Sequence, residues 1–312
     1  MTFLPASAAT WRINGVDLAV TAVGDGPLVV LAHGFPDLSA TWHRQVGVLV
    51  EAGYRVVAPD MRGYGHSGRP SDVSAYSTRE AGRDLVGLLE HEGATQAHFI
   101  GHDWGAACVW QLGIEHPASV LSLTGLSVPY ALPAPIEPTE ILRARWGKDF
   151  YQLKFQQRRT AEHMLERDIV HTLAAIYNDR YDLIETDDAI ERPPWLAPDL
   201  FSHYVDEFGR TGFTGGLSYY RNIDDNWRRA RATTDHTIGH RSLFVTGTAD
   251  PVTTFMNVSA SAHVFTDLTT VLIDDVGHWV HQQAPELVND AILAHLRRQP
   301  PSPPSRKKAR LV

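Results

Sequence analysis

The sequence predicts an α/β protein, a mostly parallel sheet flanked by helices and interrupted by a helical insertion. Continuous apolar runs of the kind that suit strands buried on both faces recur along the chain. They alternate with helical stretches at the spacing of right-handed βαβ crossovers. The alternation stops at Val128 and resumes at Ser242, with a proline- and aromatic-rich stretch between.

The elements follow in order. Residues 11–23 read as a hairpin, with Asn14-Gly15 as a turn that tolerates positive φ. The run 28–32 is a buried strand ending in His33-Gly34-Phe35-Pro36. A helix over 41–49 closes at Gly53, and a second buried strand covers 54–58. Ser77-Thr78-Arg79-Glu80 is a capping-box pattern; it opens a helix through Leu85, Leu88 and Leu89, with Gly93 just past its end. A strand at 97–100 runs into Gly101-His102-Asp103-Trp104-Gly105; a helix at 106–115 and a strand at 120–126 follow. After the insertion, strands are expected at 242–246 and 269–273, and a helix at 285–296 with proline at its N-terminus. This gives an α/β core in two parts, 1–128 and 237–298, a helical cap at 129–236 and a disordered tail at 299–312. The tail is proline-rich and then basic; a solvated end is the first reading, and a localisation signal or an acidic partner is the alternative.

Composition narrows the function classes. The chain has 312 residues, 43% apolar and 21% charged, an ordinary globular balance. Its 36 acidic and 28 basic side chains give a formal charge of -8, which disfavours a phosphate backbone as partner. No apolar run approaches the roughly 18 residues of a membrane helix. Cys108 is the one cysteine, so no disulfide framework is expected and a reducing compartment fits. The first ten residues lack the charged region of a signal peptide. A soluble cytoplasmic protein without cofactor or metal is expected; no oligomeric state is indicated.

Gly101-His102-Asp103-Trp104-Gly105 has the spacing of a nucleophile elbow, in which glycines flank a sharp strand-to-helix turn and the central side chain stands out at the sheet edge. Serine is the usual occupant; here it is Asp103. On these five residues alone, a helix-capping aspartate is an equal reading. An elbow nucleophile needs a general base and an acid to orient it. Asp250 follows the strand at 242–246, and His278 follows the strand at 269–273. The order nucleophile, acid, histidine is the order of α/β-hydrolases. Asp274 and Asp275 compete with Asp250 but precede the histidine too closely to reach around it. In that fold, backbone N–H groups of Phe35 and Trp104 would form the oxyanion hole. His278-x-x-His281 alone is weak evidence for a metal.

At these residues the chain resembles the soluble epoxide hydrolases of the α/β-hydrolase superfamily. The resemblance is carried by His33-Gly34-Phe35-Pro36, the stretch from Asp60 to Ser67, Gly101 to Ala106, the Asp250 loop and Gly277-His278-Trp279, over roughly residues 11–296. It implies an epoxide substrate opened to a diol through an ester on Asp103. It also implies two cap tyrosines that grip the epoxide oxygen, Tyr151 and Tyr220, with Tyr219 a neighbour open to confusion. A carboxylate is a competent nucleophile for a strained ring, and neutral phenols assist the departing alkoxide without carrying charge into an apolar pocket. The main alternative is a haloalkane dehalogenase with the same aspartate; a fluoroacetate dehalogenase or a non-catalytic binding protein is further off. Trp146, Phe150, Phe155 and Trp195 are expected to shape the cap pocket.

Overall fold

A computed structural model describes residues 8–257 and 259–297. The first half runs β1 (Ala9–Ile13), β2 (Val16–Val23), β3 (Leu28–Ala32), α1 (His43–Glu51), β4 (Arg55–Pro59), α2 (Thr78–His91), β5 (Ala97–His102), α3 (Trp104–Glu115) and β6 (Val120–Leu126). Seven α-helices then intervene: α4 (Pro138–Trp146), α5 (Tyr151–Lys154), α6 (Thr160–Glu166), α7 (Ile169–Tyr177), α8 (Pro198–Thr211), α9 (Thr214–Tyr220) and α10 (Ile223–Ala232). The chain returns through β7 (Ile238–Gly247), β8 (Phe265–Ile273), α11 (Val280–Gln283) and α12 (Pro285–Arg297). The expected tail at 299–312 lies outside the described residues.

The eight strands form one sheet in the order β1-β2-β4-β3-β5-β6-β7-β8. The pairs β1–β2 and β2–β4 are antiparallel, and every pair from β4 to β8 is parallel. The predicted turn is present: Asn14 and Gly15 both have positive φ, which matches the twist of a two-residue hairpin. Side chains of β3 alternate between two cores. Leu28, Val30 and Ala32 join the cluster that also takes in α2, α3 and the helical insertion. Val29 and Leu31 join the cluster built with α1 and α12. Half of the predicted capping box forms: Ser77 Oγ accepts from the Glu80 amide at 3.3 Å, while the Ser77 amide donates to the Ser74 carbonyl at 3.4 Å. Prolines in the insertion start helices, Pro138 in α4 and Pro198 in α8, where no intrahelical N–H is needed.

Strands β7 and β8 both begin earlier than the apolar runs indicate. After a leading Ile238 or Phe265 each opens on exposed or half-buried residues, Gly239 to Arg241 in β7 and Thr266 and Asp267 in β8, and β8 is an edge strand, so hydrophobicity does not mark these starts. Register then does the positioning. Ala32 pairs with Gly101, His102 with Leu126, Leu126 with Val245, and Gly247 with Ile273. The loops after β3, β5, β7 and β8 therefore leave one edge of the sheet side by side. Two anchors hold the insertion over that edge: Tyr219 donates to the Arg62 carbonyl at 3.1 Å, and Asn222 Nδ2 to the Val73 carbonyl at 2.6 Å. No described helix is long and apolar enough to cross a membrane.

Candidate active site

Asp103 stands between β5 and α3 with φ 53° and ψ −119°, a backbone conformation that L-residues rarely adopt. Only glycine fits on either side. A Cβ on Gly101 would lie 2.3 Å from the Gly105 carbonyl oxygen, and one on Gly105 would lie 2.0 Å from that of Ala32. The carboxylate is held from two sides. The Phe35 amide donates to Oδ1 at 2.8 Å, and His278 Nε2 faces Oδ2 at 3.6 Å. Burial would raise this carboxyl, but the hydrogen bond and charge of His278, the nearby His102 and the Phe35 amide outweigh it and hold it below the ordinary aspartate value.

His278 Nδ1 meets both oxygens of Asp250, at 3.1 and 3.2 Å. Asp250 is itself fixed, accepting from the Val252 amide at 2.9 Å and from Thr246 Oγ1 at 3.3 Å. Asp275, in contrast, turns away at positive φ with its amide on Thr248. Burial alone would push the His278 imidazole down. Asp250 and Asp103, one at each ring nitrogen, outweigh burial and hold it well above the ordinary histidine value. Trp104 is the first residue of α3, so its N–H has no partner within the helix and lies beside the elbow.

Tyr151 and Tyr220, both from the helical insertion, line a cavity with Asp103. Tyr220 is buried, with its ring edge-on to Phe35 and Trp104 at centroid separations of 5.3 and 5.1 Å. Tyr151 lies 6.3 Å from Tyr220, ring to ring, and its oxygen accepts from Gln152 Nε2 at 2.9 Å. Burial raises both phenols and the Asp103 charge adds to it, so both are neutral. Tyr219 turns the other way, against Tyr64 and Tyr76. Two cavities, of about 320 and 400 Å³, meet at Asp103 and Tyr151, which line both. Of the aromatics expected in the pocket, Trp146, Phe150 and Phe155 line these cavities; Trp195 instead stacks on Trp279 at 6.0 Å.

Several neighbours have no motif of their own in the sequence. His102 Nε2 and Ser127 Oγ both donate to the His278 carbonyl, at 3.0 and 2.5 Å, which fixes the main chain of that histidine. Asp37 is buried and accepts from Thr41 Oγ1 at 3.0 Å and Tyr177 Oη at 3.1 Å; burial raises its carboxyl to about 7. Asp37, His102 and His281 offer buried ligand atoms within 4.8 Å of one another. Thr41 Oγ1 is also 2.7 Å from His281 Nε2, so hydrogen bonding already engages all three residues of this group. Tyr181 stacks on Tyr151 at 4.0 Å, and Asp179 lines the smaller cavity with His278. His102 sits inside the elbow and Asp37 directly after Pro36, so adjacency to a motif was the available signal.

Residues 27–285 match the α/β-hydrolase fold family. Epoxide hydrolase A of Mycobacterium tuberculosis is 41% identical over 305 residues, covering 91% of this chain and 95% of that one. An epoxide hydrolase of Caballeronia sordidicola is 32% identical, covering 91% and 92%. Among solved structures, epoxide hydrolase A of Mycobacterium thermoresistibile superposes with a TM-score of 0.89 at 40% identity, covering 93% of this chain and 98% of that one.

Proposed function

The chain belongs to the epoxide hydrolases of the α/β-hydrolase fold family, and from that premise we propose how its residues open an epoxide to a vicinal diol. Asp103 is the nucleophile. Its Oδ2 attacks a ring carbon, the C–O bond breaks, and an ester forms. Tyr151 and Tyr220 hydrogen-bond the oxygen as it becomes an alkoxide and supply its proton. Being neutral, they do so without placing a charge against the aromatic walls.

The second half-reaction belongs to His278. Once Asp103 is an ester, one of the two anions beside the imidazole is gone, its affinity for a proton falls, and the proton it releases restores the phenol that served the alkoxide. His278 then takes a proton from water while Asp250 stabilises the imidazolium that results. The hydroxide attacks the ester carbonyl. Oδ1 of Asp103 becomes the oxyanion, and the N–H groups of Phe35 and Trp104 receive it. The ester C–O bond then breaks, the departing alkoxide takes the proton of the new Asp103 carboxyl group, and the diol leaves with Asp103 again a carboxylate.

The observation that carries this reading is the double hold on Asp103, with a backbone amide on one oxygen and the Asp250–His278 pair at the other. Residues 129–236 are taken as the cap that bears the phenols. The single, buried Cys108 supports a reducing compartment, the cytoplasm. The test is one turnover in heavy-oxygen water. The label should enter the Asp103 carboxylate and leave the first diol unlabelled; label found directly in that diol would mean water attacks the ring and would refute the ester.

A further inference from the structure

We infer that this site is shaped for epoxides substituted on both ring carbons with unlike arms, a hydrocarbon arm on one side and a shorter, non-anionic polar or cationic arm on the other. The inference rests on the epoxide-hydrolase reading of Asp103. The two cavities meet at the nucleophile and Tyr151, so an oxirane held between them sends one substituent into each. A ring substituted on one carbon only would leave one of them without a partner.

The two cavities differ in charge. The larger, of about 400 Å³, has one charged side chain besides Asp103; this is Arg145, whose guanidinium lies over the Trp146 ring at 4.6 Å. Its other walls include Trp104, Trp110, Leu132 and Ile223. The smaller, of about 320 Å³, carries Asp149, Asp179, Asp182 and Glu185 besides Asp103, against Lys154 and His278. Lys154 pairs with Glu185, and Asp182 pairs with Arg180 at 2.7 Å. Among the described residues, no lysine or arginine pairs with Asp149 or Asp179.

Asp179 is the group nearest the chemistry. It follows α7, is fixed at φ 58°, and shares the cavity wall with His278. Its Oδ1 is shut off from water and has no hydrogen-bond partner. A buried acceptor left unpaired is costly, and it leaves the Asp179 charge without a donor at that oxygen. A carboxylate on the same arm would enter a wall in which five carboxylates face two cations, Lys154 and His278.

Four trans-epoxides test this. Each carries heptyl on one ring carbon and a two-methylene spacer on the other, ending in trimethylammonium, its neutral tert-butyl isostere, hydroxyl or carboxylate. The parent enzyme should show a kcat/KM at least tenfold higher for trimethylammonium than for carboxylate, with hydroxyl also above carboxylate. Asp179→Asn should shrink the trimethylammonium-to-carboxylate ratio at least fivefold, each rate being compared within the same variant. A parent ratio of one or less, or a ratio that Asp179→Asn leaves unchanged, overturns the inference. Should the variant fail to fold, the parent ratio decides alone. The two levels separate cleanly: if the parent opens none of the four, the epoxide-hydrolase reading falls; if it opens all four equally well, only this inference does.

Discussion

Gly34→Ala isolates the geometry of Asp103, the proposed nucleophile, from the chemistry of its partners. The backbone of Gly34 is outside the left-handed region, so alanine can adopt it, and the effect is one of space alone. A Cβ there would stand 2.4 Å from both the Cβ and Oδ1 of Asp103. Carbon atoms rest at about 3.5 Å or more, so elbow and loop must part by about 1 Å. The Asp103 Cβ is tied to a backbone already clamped by Gly101 and Gly105 and cannot swing aside. The loop that yields carries the Phe35 amide, so the 2.8 Å bond to Oδ1 is lost as well. A displacement of about 1 Å at a reacting group costs about 10²-fold in rate, which is about 2.7 kcal/mol in the barrier. Ester formation should therefore slow about 10²-fold, measured by rapid-mixing single turnover through the fluorescence of the adjacent Trp104. Circular dichroism and thermal melting report whether the fold is kept. A folded variant that forms the ester within about threefold of the parent rate would refute this account of how Asp103 is positioned.

The remaining expectations concern the partners of Asp103. His278→Gln should still form the ester but stall there, so intact-mass spectrometry should show the chain heavier by one substrate; a folded variant that neither turns over nor traps the adduct would remove His278 from the second step. Tyr151→Phe and Tyr220→Phe should each slow ring opening moderately and the double variant nearly abolish it, within the range of about 10² to 10⁴ for general-acid help. Because the two phenols share one oxygen, the single effects should not add, and a double variant that opens epoxides at the parent rate would dismiss both. The pH dependence has a definite sign. Neutral His278 is the base, so ester hydrolysis should rise with pH through the histidine pKa of the ester form. That pKa should lie below the one found by NMR titration of the free enzyme, where Asp103 still carries charge; equal values would remove the electrostatic link between the two steps. Ester formation should hold its plateau as pH falls into the ordinary carboxylate range, because Asp103 is held below it.

Much of this site was legible in the chain order. A parallel sheet sends its ligand-bearing loops off one edge, so a nucleophile, an acid and a histidine each placed just past a strand must converge there, whatever the intervening length. The elbow is equally local. Glycines on either side of Asp103 are required by contacts of 2.0 and 2.3 Å that any side chain would violate, and the pentapeptide records that requirement. Those five residues could not exclude a capping aspartate; the positive φ of Asp103 and the absence of a side-chain cap bond settle against it. The choice between Asp250 and its rivals near His278 was also a matter of direction, decided when Nδ1 meets Asp250 and Asp275 turns away.

Other features existed only once the chain folded. Tyr219 and Tyr220 are adjacent and chemically identical; the turn of α9 sends one to the Arg62 carbonyl and the other to the cavity that Asp103 lines. The bonds from His102 and Ser127 to the His278 carbonyl join residues 176 and 151 positions apart in the chain. No local pattern records such pairs, because the cost of leaving the carbonyl unbonded arises only when burial removes water from it. The contrast between the two cavities has the same origin: its charges come from α4, α5 and the chain after α7, and only the packing of the insertion over the sheet edge places them on opposite sides of Asp103. The sequence by itself determined the sheet and that Asp103, Asp250 and His278 each follow a strand toward one edge of it, because those are written in local spacing and strand order. The tertiary structure alone decided which tyrosine faces the nucleophile, what anchors the histidine and which arm of the cavity is acidic, because those depend on direction and burial.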